Sequence, residues 1–429
     1  MRCFAPTFWV ALGAAPLLFS CTPAAPSRLE GSWTGTVADG QGATGLVLDF
    51  AAHGGRWTGT MSLPGRRLLG KTLPDIRFAP PDLSFTLPAH AALLCFQGRL
   101  SPGTIDGTIR VEGRTIPLHL QRSERAAPPY REDQVSFGSG DTTLHGALLR
   151  PAGAGPFPAV ILIHGSSTPD RNDFRYFADL FARHGIAALI YDKRDTGGEA
   201  NGGTASLETL AGDVLAAAAT LDRRRDIARG RIGLWGFSQG GWVAPIAASR
   251  RRFAFIIACS TAGVSYADVN RFQDAARLRA NGFSSADVEA AMQAERRLDQ
   301  FVRDGRDPTD VQAMLDGAAG RPWARFITLP RRLPSAAEKG TYLRWRDLDL
   351  DPSIYWRQVD APVFVALGTA DLNVPPKESA GRIAAALSAG GNRNVTVRFY
   401  EGANHELFPA PSLEADTIGW VQGVLGRRP

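Results

Sequence analysis

The chain has 429 residues, 44% of them hydrophobic and 21% charged, which is the make-up of a globular protein with room for two domains and a real core. That composition excludes wholesale disorder. The formal charge of +6 rests on 48 basic residues, of which only Lys71, Lys193, Lys339 and Lys377 are lysines. The arginines are scattered, with no stripe interleaved with aromatics, so no nucleic-acid partner is expected.

In chain order the first element is a leader. Arg2 supplies a short positive region, and Phe4 to Phe19 is an apolar run ending in Leu18, Phe19, Ser20 and Cys21. The run is too short to span a bilayer comfortably, and the loop-like stretch from Thr22 to Ser27 follows. Residues 1–20 therefore read as a signal peptide and 21–28 as a linker, which places the protein outside the cytoplasm. A small residue before a cysteine after such a run resembles a bacterial lipoprotein signal. The resemblance implies cleavage before Cys21, a membrane contact through lipid on its sulfur, and a periplasm-facing site, at the outer membrane because Thr22 rather than Asp follows. Cys95 and Cys259 sit in apolar strand-like runs and read as buried small hydrophobes, with no disulfide expected between them.

Residues 29–125 show short alternating runs broken by Gly and Pro. Gly31–Thr36 recurs as Gly55–Thr60, each centred on a tryptophan, and Leu46–Phe50, Leu93–Phe96 and Thr104–Val111 look like further strands. A small all-β antiparallel domain follows, sandwich- or barrel-like, with Trp33 and Trp57 as core aromatics of paired hairpins.

From residue 130 the pattern changes to apolar strands alternating with helical segments, the mark of a mostly parallel sheet with helices on both faces. Strands are expected at Phe157–Ile163, Ala187–Tyr191, Arg231–Phe237, Phe255–Ala258, Val363–Leu367 and Val395–Tyr400. Between residues about 261 and 360 the alternation stops. Tyr266–Gly282, Ser284–Asp304 and Asp310–Leu315 read there as amphipathic helices, with Ser284 and Asp287 forming a capping box. Trp323, Phe326, Tyr342, Trp345, Tyr355 and Trp356 make the end of this stretch rich in large aromatics.

The chemistry concentrates at Gly236-Phe237-Ser238-Gln239-Gly240, a serine with small flanking residues between an apolar strand and an Ala-rich helix. A serine hydroxyl needs an imidazole to take its proton. Of seven histidines, His405 lies in the loop just after the last strand, at the carboxyl edge of the sheet beside Ser238. Asp371 also follows a strand on that edge and can fix the imidazole, whereas Asp360 precedes its strand and lies on the wrong edge. The developing oxyanion needs backbone N–H donors, expected from Gln239 and from Ser166 in the loop after Phe157–Ile163. His164 reads as a structural residue of that loop.

With these residues in view, the chain from Tyr130 onward resembles the α/β-hydrolase superfamily, and within it bacterial esterases and dienelactone-hydrolase-like or prolyl-oligopeptidase-like serine hydrolases. The matching residues are His164, Gly165 and Ser166; Asp170 and Arg171; Tyr191 to Arg194; Gly236 to Gly241; Gly368 with Asp371; and Asn404 with His405. The resemblance implies an α/β-hydrolase fold over 130–429 with a helical cap at about 261–360. It also implies a carboxylester hydrolase acting on a small-molecule acyl ester without cofactor or metal. Asp192 and Arg194 read as structural. A serine aminopeptidase, or an acyltransferase or thioesterase of the same fold, is the alternative, and an inactive binding lipoprotein is the reading from another class. The sequence leaves the oligomeric state open.

Overall fold

β-branched and aromatic residues at alternate positions carry the first part of the chain into nine strands. They are β1 (Gly31–Asp39), β2 (Gly42–His53), β3 (Arg56–Leu63), β4 (Leu68–Thr72), β5 (Arg77–Ala79), β6 (Asp82–Ala89), β7 (Ala92–Ser101), β8 (Thr104–Val111) and β9 (Arg114–Ser123). In this computed structural model, which describes residues 29–39, 42–89, 92–111, 113–124, 127–166, 170–194, 205–341 and 343–426, they form a single sheet. Its order is β4-β3-β2-β1-β9-β8-β7-β6-β5, rather than the two sheets of a sandwich. The signal peptide, the linker, Cys21 and Tyr342 lie outside the described residues.

One face of this sheet is buried. In β9, Leu118 and Leu120 are enclosed while His119 and Gln121 face outward. Trp33 is fully buried and donates its indole N–H to the Leu29 carbonyl at 2.9 Å. Trp57 is half-buried, with Phe78 edge-on at 5.5 Å. Cys95 departs from expectation, because it is exposed. Phe96 turns into the core, and the two-residue period of the strand then sends its neighbour outward.

The second sheet has eight strands: β10 (Tyr130–Ser139), β11 (Thr142–Pro151), β12 (Phe157–Ile163), β13 (Ala187–Tyr191), β14 (Ile227–Phe237), β15 (Ile256–Cys259), β16 (Val363–Gly368) and β17 (Val395–Tyr400). Their order is β10-β11-β13-β12-β14-β15-β16-β17. The β10–β11 hairpin joins at one edge, antiparallel to β13, and the neighbouring pairs from β13 to β17 are parallel. The helices are α1 (Arg175–Arg183), α2 (Leu207–Asp222), α3 (Gly240–Ala248), α4 (Tyr266–Ala280), α5 (Ser285–Asp304), α6 (Pro308–Ala319), α7 (Ala336–Thr341), α8 (Leu343–Arg346), α9 (Ser353–Trp356), α10 (Pro376–Ala389) and α11 (Leu413–Gly426).

Both faces of the parallel strands are covered, which is why they read as unbroken apolar runs. Ile161, Leu234, Ala258 and Val365 pack toward α2, α3 and α10. Leu162, Trp235, Ile257 and Phe364, alternating with them, pack toward α1 and α11. Each such buried side chain contributes about 1.5–3 kcal/mol.

Residues 261–360 leave the sheet after β15 and return before β16, as α4 to α9. Ser284 caps α5 in a reciprocal box with Asp287, and Gly305 ends the helix in a left-handed conformation. These helices have a core of their own, with Leu278, Met292, Trp323 and Ile327 at its centre. Trp356, by contrast, is fully buried in the core under the sheet. No helix among the described residues is long and apolar enough to cross a membrane.

The described chain divides into two compact units. One comprises residues 29–34, 48–59 and 73–124, and the other 35–47, 60–72 and 127–426.

Candidate active site

β14 ends because the chain must turn at once into α3, and the turn falls on Ser238. Its φ of 52° is left-handed, a conformation that costs a residue with a side chain about 1–3 kcal/mol. Backbone bonds hold it there. The Ser238 N–H donates to the Cys259 carbonyl at 2.9 Å, and the Ser238 carbonyl accepts from Gly241 N–H at 2.9 Å and Thr261 Oγ1 at 3.1 Å. The glycines are required by clearance. A Cβ on Gly236 would stand 2.6 Å from the Gly240 carbonyl carbon, one on Gly240 would meet the Ile163 and His164 carbonyls, and one on Gly241 would overlap Thr261. Burial pushes the neighbouring Cys259 thiol up to about 12, so it stays a thiol beside Ser238.

The loop after β16 delivers Asp371 and the loop after β17 delivers His405. Asp371 Oδ1 accepts from the N–H groups of Asn373 (2.7 Å) and Val374 (3.1 Å), while its Oδ2 stands 2.8 Å from His405 Nδ1. The carboxylate only accepts, so Nδ1 carries the proton and Nε2 is left to accept from the Ser238 hydroxyl, 3.0 Å away. The Asp371 side chain is fully enclosed, whereas the His405 side chain keeps 11% of its surface open. Ser238, His405 and Asp371 are thus brought together in one hydrogen-bonded row from three strand ends.

Gln239 is the N-cap of α3, and its amide lies at the start of that helix, where N–H groups have no partner within the helix. Ser166 follows β12, and residues 167–169 lie outside the described residues. His164 is buried and donates from Nε2 to the Tyr191 carbonyl. Burial pushes its pKa down to about 4, so it is a neutral group at ordinary pH. Arg194 pairs with buried Asp213 (2.7 Å), and Asp192 accepts from the Arg171 guanidinium (2.9 Å), so both hold loops. Among the described residues no group of three or more His, Cys, Asp or Glu could hold a metal ion.

Two basic residues to which the sequence reading assigned no role stand close behind this row. Lys193 is buried and donates to the Gly165 carbonyl (2.8 Å) and to Gln239 Oε1 (2.7 Å). Its signal in the sequence is the choice of lysine where the chain otherwise uses arginine. Arg67, within the same compact unit as His405, donates to the carbonyls of Leu407 (2.5 Å) and Ala410 (2.7 Å) and to Glu414 (2.6 Å). It grips the loop that carries His405, and no local pattern announces it. Asn404 closes the same loop from within, its side chain accepting from the Phe408 N–H at 2.9 Å.

The base of the helical insertion reaches this region. Gln273 of α4 stands 3.3 Å from Asn373, beside Asp371, and the Tyr266 ring tilts against Trp242 of α3 at 4.5 Å.

Several known proteins resemble parts of this chain. Esterase EstD of Thermotoga maritima is 31% identical over 159 residues, which are 34% of this chain and 38% of that protein. The likeness therefore spans well under half of the relative's length. Among solved structures, the α/β-hydrolase GrgF from Penicillium sp. sh18 is 20% identical with a TM-score of 0.47, over 69% of this chain and all of the other. A Pyrococcus furiosus esterase is 17% identical with a TM-score of 0.42, over 69% of this chain and 90% of its own. The Alpha/beta hydrolase family matches residues 160–417. Since that match covers more than half of its residues, the chain belongs to the Alpha/beta hydrolase family.

Proposed function

We propose that this protein is a serine hydrolase that cleaves carboxylic esters through an acyl-enzyme on Ser238. The observation that carries the reading is the row from Ser238 Oγ through His405 to the enclosed Asp371, at 3.0 and 2.8 Å. His405 Nε2 takes the hydroxyl proton as Oγ attacks the acyl carbon, and Asp371 stabilises the imidazolium and fixes its tautomer. The amides of Gln239 and Ser166 hold the oxyanion. His405 then protonates the leaving alcohol, and water repeats the sequence to release the acid.

An aminopeptidase, thioesterase or acyltransferase would use the same row, and the esterase relative favours esters among them. The helical insertion acts in this reading as a cap that shapes the acyl pocket. Its support is position, since α4 packs beside both the elbow and the Asp371 loop.

A fluorophosphonate probe and a panel of esters, thioesters and aminoacyl amides test the proposal. The wild type should be labelled on Ser238 and should turn over short esters best. Ser238→Ala and His405→Ala should each lose about three orders of magnitude or more in kcat while remaining folded, and Asp371→Asn should approach them through the wrong tautomer. Retention of most ester turnover by Ser238→Ala would refute the mechanism.

A further inference from the structure

We infer that Lys193 is a positioning residue of the oxyanion hole, a buried cation that aims both of its amides. The inference rests on the reading of Ser238 as nucleophile and of the Gln239 and Ser166 amides as donors to the oxyanion.

β13 ends at Tyr191 on the sheet edge where the strand ends converge, and Lys193 lies two residues beyond, only 7% exposed. A buried ammonium is strongly disfavoured unless acceptors surround it. Two of the acceptors around Lys193 are informative. The first is the Gly165 carbonyl, at 2.8 Å. In a trans peptide the C=O of one residue and the N–H of the next lie in one plane and point in opposite directions. Fixing the Gly165 carbonyl therefore fixes the direction of the Ser166 N–H, the donor proposed from this loop. A charge-assisted bond on the carbonyl also withdraws electron density from that amide and strengthens its N–H as a donor.

The second acceptor is Gln239 Oε1, at 2.7 Å, on the residue whose own N–H is the other proposed donor. Gln239 is 3% exposed, so its side chain is enclosed. One ammonium thus ties together the loop after β12 and the start of α3, each contributing one amide. Gly240 lets these two segments approach, since a Cβ there would stand 2.9 Å from the His164 carbonyl oxygen. Lys193 sets how their amides converge. The ammonium adds positive potential behind both donors, where charge develops on the substrate oxygen only in the transition state. Its loss should therefore appear in the chemical step and not in substrate binding.

The experiment measures the second-order rate of Ser238 labelling by a fluorophosphonate, together with kcat and KM for a short neutral ester. It compares the wild type, Ser238→Ala, Lys193→Met and Gln239→Leu. Labelling needs a serine nucleophile and an oxyanion hole but no particular acyl substrate. The expected result is no labelling of Ser238→Ala and a 10- to 100-fold slower reaction for Lys193→Met, with kcat falling in proportion and KM within twofold of wild type. Gln239→Leu keeps its backbone amide and loses the Oε1 tether to Lys193, so it should slow about 3- to 10-fold. It also serves as the deciding variant if Lys193→Met does not fold. A rise in KM with labelling and kcat unchanged would mean ordinary packing and would overturn the inference. So would labelling of the folded variants within twofold of wild type. An unlabelled wild type would instead overturn the serine-hydrolase reading itself, and the inference with it.

Discussion

The proposed nucleophile, Ser238, and the proposed base, His405, are held by opposite means. Ser238 is fixed by main chain, through its N–H on Cys259, its carbonyl on Gly241 and Thr261, and glycines that leave no room for a methyl group. His405 is fixed by side chains gathered from afar, with Arg67 on the Leu407 and Ala410 carbonyls, Asn404 on Phe408 and Asp371 on the imidazole. A region built on close backbone approach fails when atoms are added. A region built on long side chains fails when atoms are removed.

The sharpest way to break the first half of this contrast is Gly236→Ala. Its methyl group would meet backbone atoms of Gly240 and Gly241, neither of which is the movable end of a side chain. A loss of about 3 kcal/mol in stability and about 100-fold in kcat is expected, because a shift of about 1 Å at the reacting atom is that costly. Chemical denaturation and ester kinetics measure the two, and a variant as stable and active as wild type would show that the elbow yields.

The converse change is Arg67→Met, which removes the grip on the His405 loop while keeping most of the side-chain volume. The expectation is a roughly tenfold lower kcat at nearly constant KM, with Arg67→Lys recovering part of it through a single donor. Turnover equal to wild type in Arg67→Met would mean that Asn404 and Asp371 suffice and that the distant contact is idle.

The smallest effect on turnover belongs to His164, whose carbonyl lies against Gly240 on the elbow side. Its imidazole is buried and neutral, with a pKa pushed down to about 4 from 6.5. Above pH 6.5 neither the folded nor the unfolded chain protonates it, and its contribution is complete. As pH falls below 6.5 the unfolded chain gains a proton that the folded chain refuses, so stability drains away down to about pH 4. His164→Gln should flatten that part of the acid-denaturation curve and leave ester turnover at neutral pH within about twofold. An unchanged slope in the variant would assign the acid sensitivity to other groups.

The same division explains how much of the molecule was legible in its sequence. The parallel strands were, because both faces are buried. Phe157–Ile163, Ala187–Tyr191 and Val395–Tyr400 have the bounds that their apolar runs suggest. Ser238 was legible because a serine between glycines needs a strand before it and a helix after it, and both patterns are present. His405 and Asp371 followed from their places just beyond strand ends. Cys95 was misread because the run Leu93 to Phe96 is apolar at every position, which conceals the alternation that turns Cys95 outward. The roles of Lys193 and Arg67 escaped for a different reason. Each acts on carbonyl oxygens distant in sequence, 28 residues away for Gly165 and 340 for Leu407. A carbonyl oxygen is the same on every residue and leaves no trace in the sequence.

The loops of Asp371 and His405 also cross at close quarters. A Cβ on Gly368 would stand 2.5 Å from the Asn404 carbonyl oxygen and 2.8 Å from the Ala403 carbonyl carbon. The Ala370 N–H donates to the Ala403 carbonyl at 3.0 Å, and the Gly402 N–H donates to Thr369 Oγ1 at 2.8 Å. The Asp371 and His405 loops are therefore one cassette, sewn along its seam by one main-chain bond and one to the Thr369 hydroxyl. Anyone grafting this chemistry onto another scaffold must carry β16 and β17 with both loops attached, since neither loop has a seam to follow without the other.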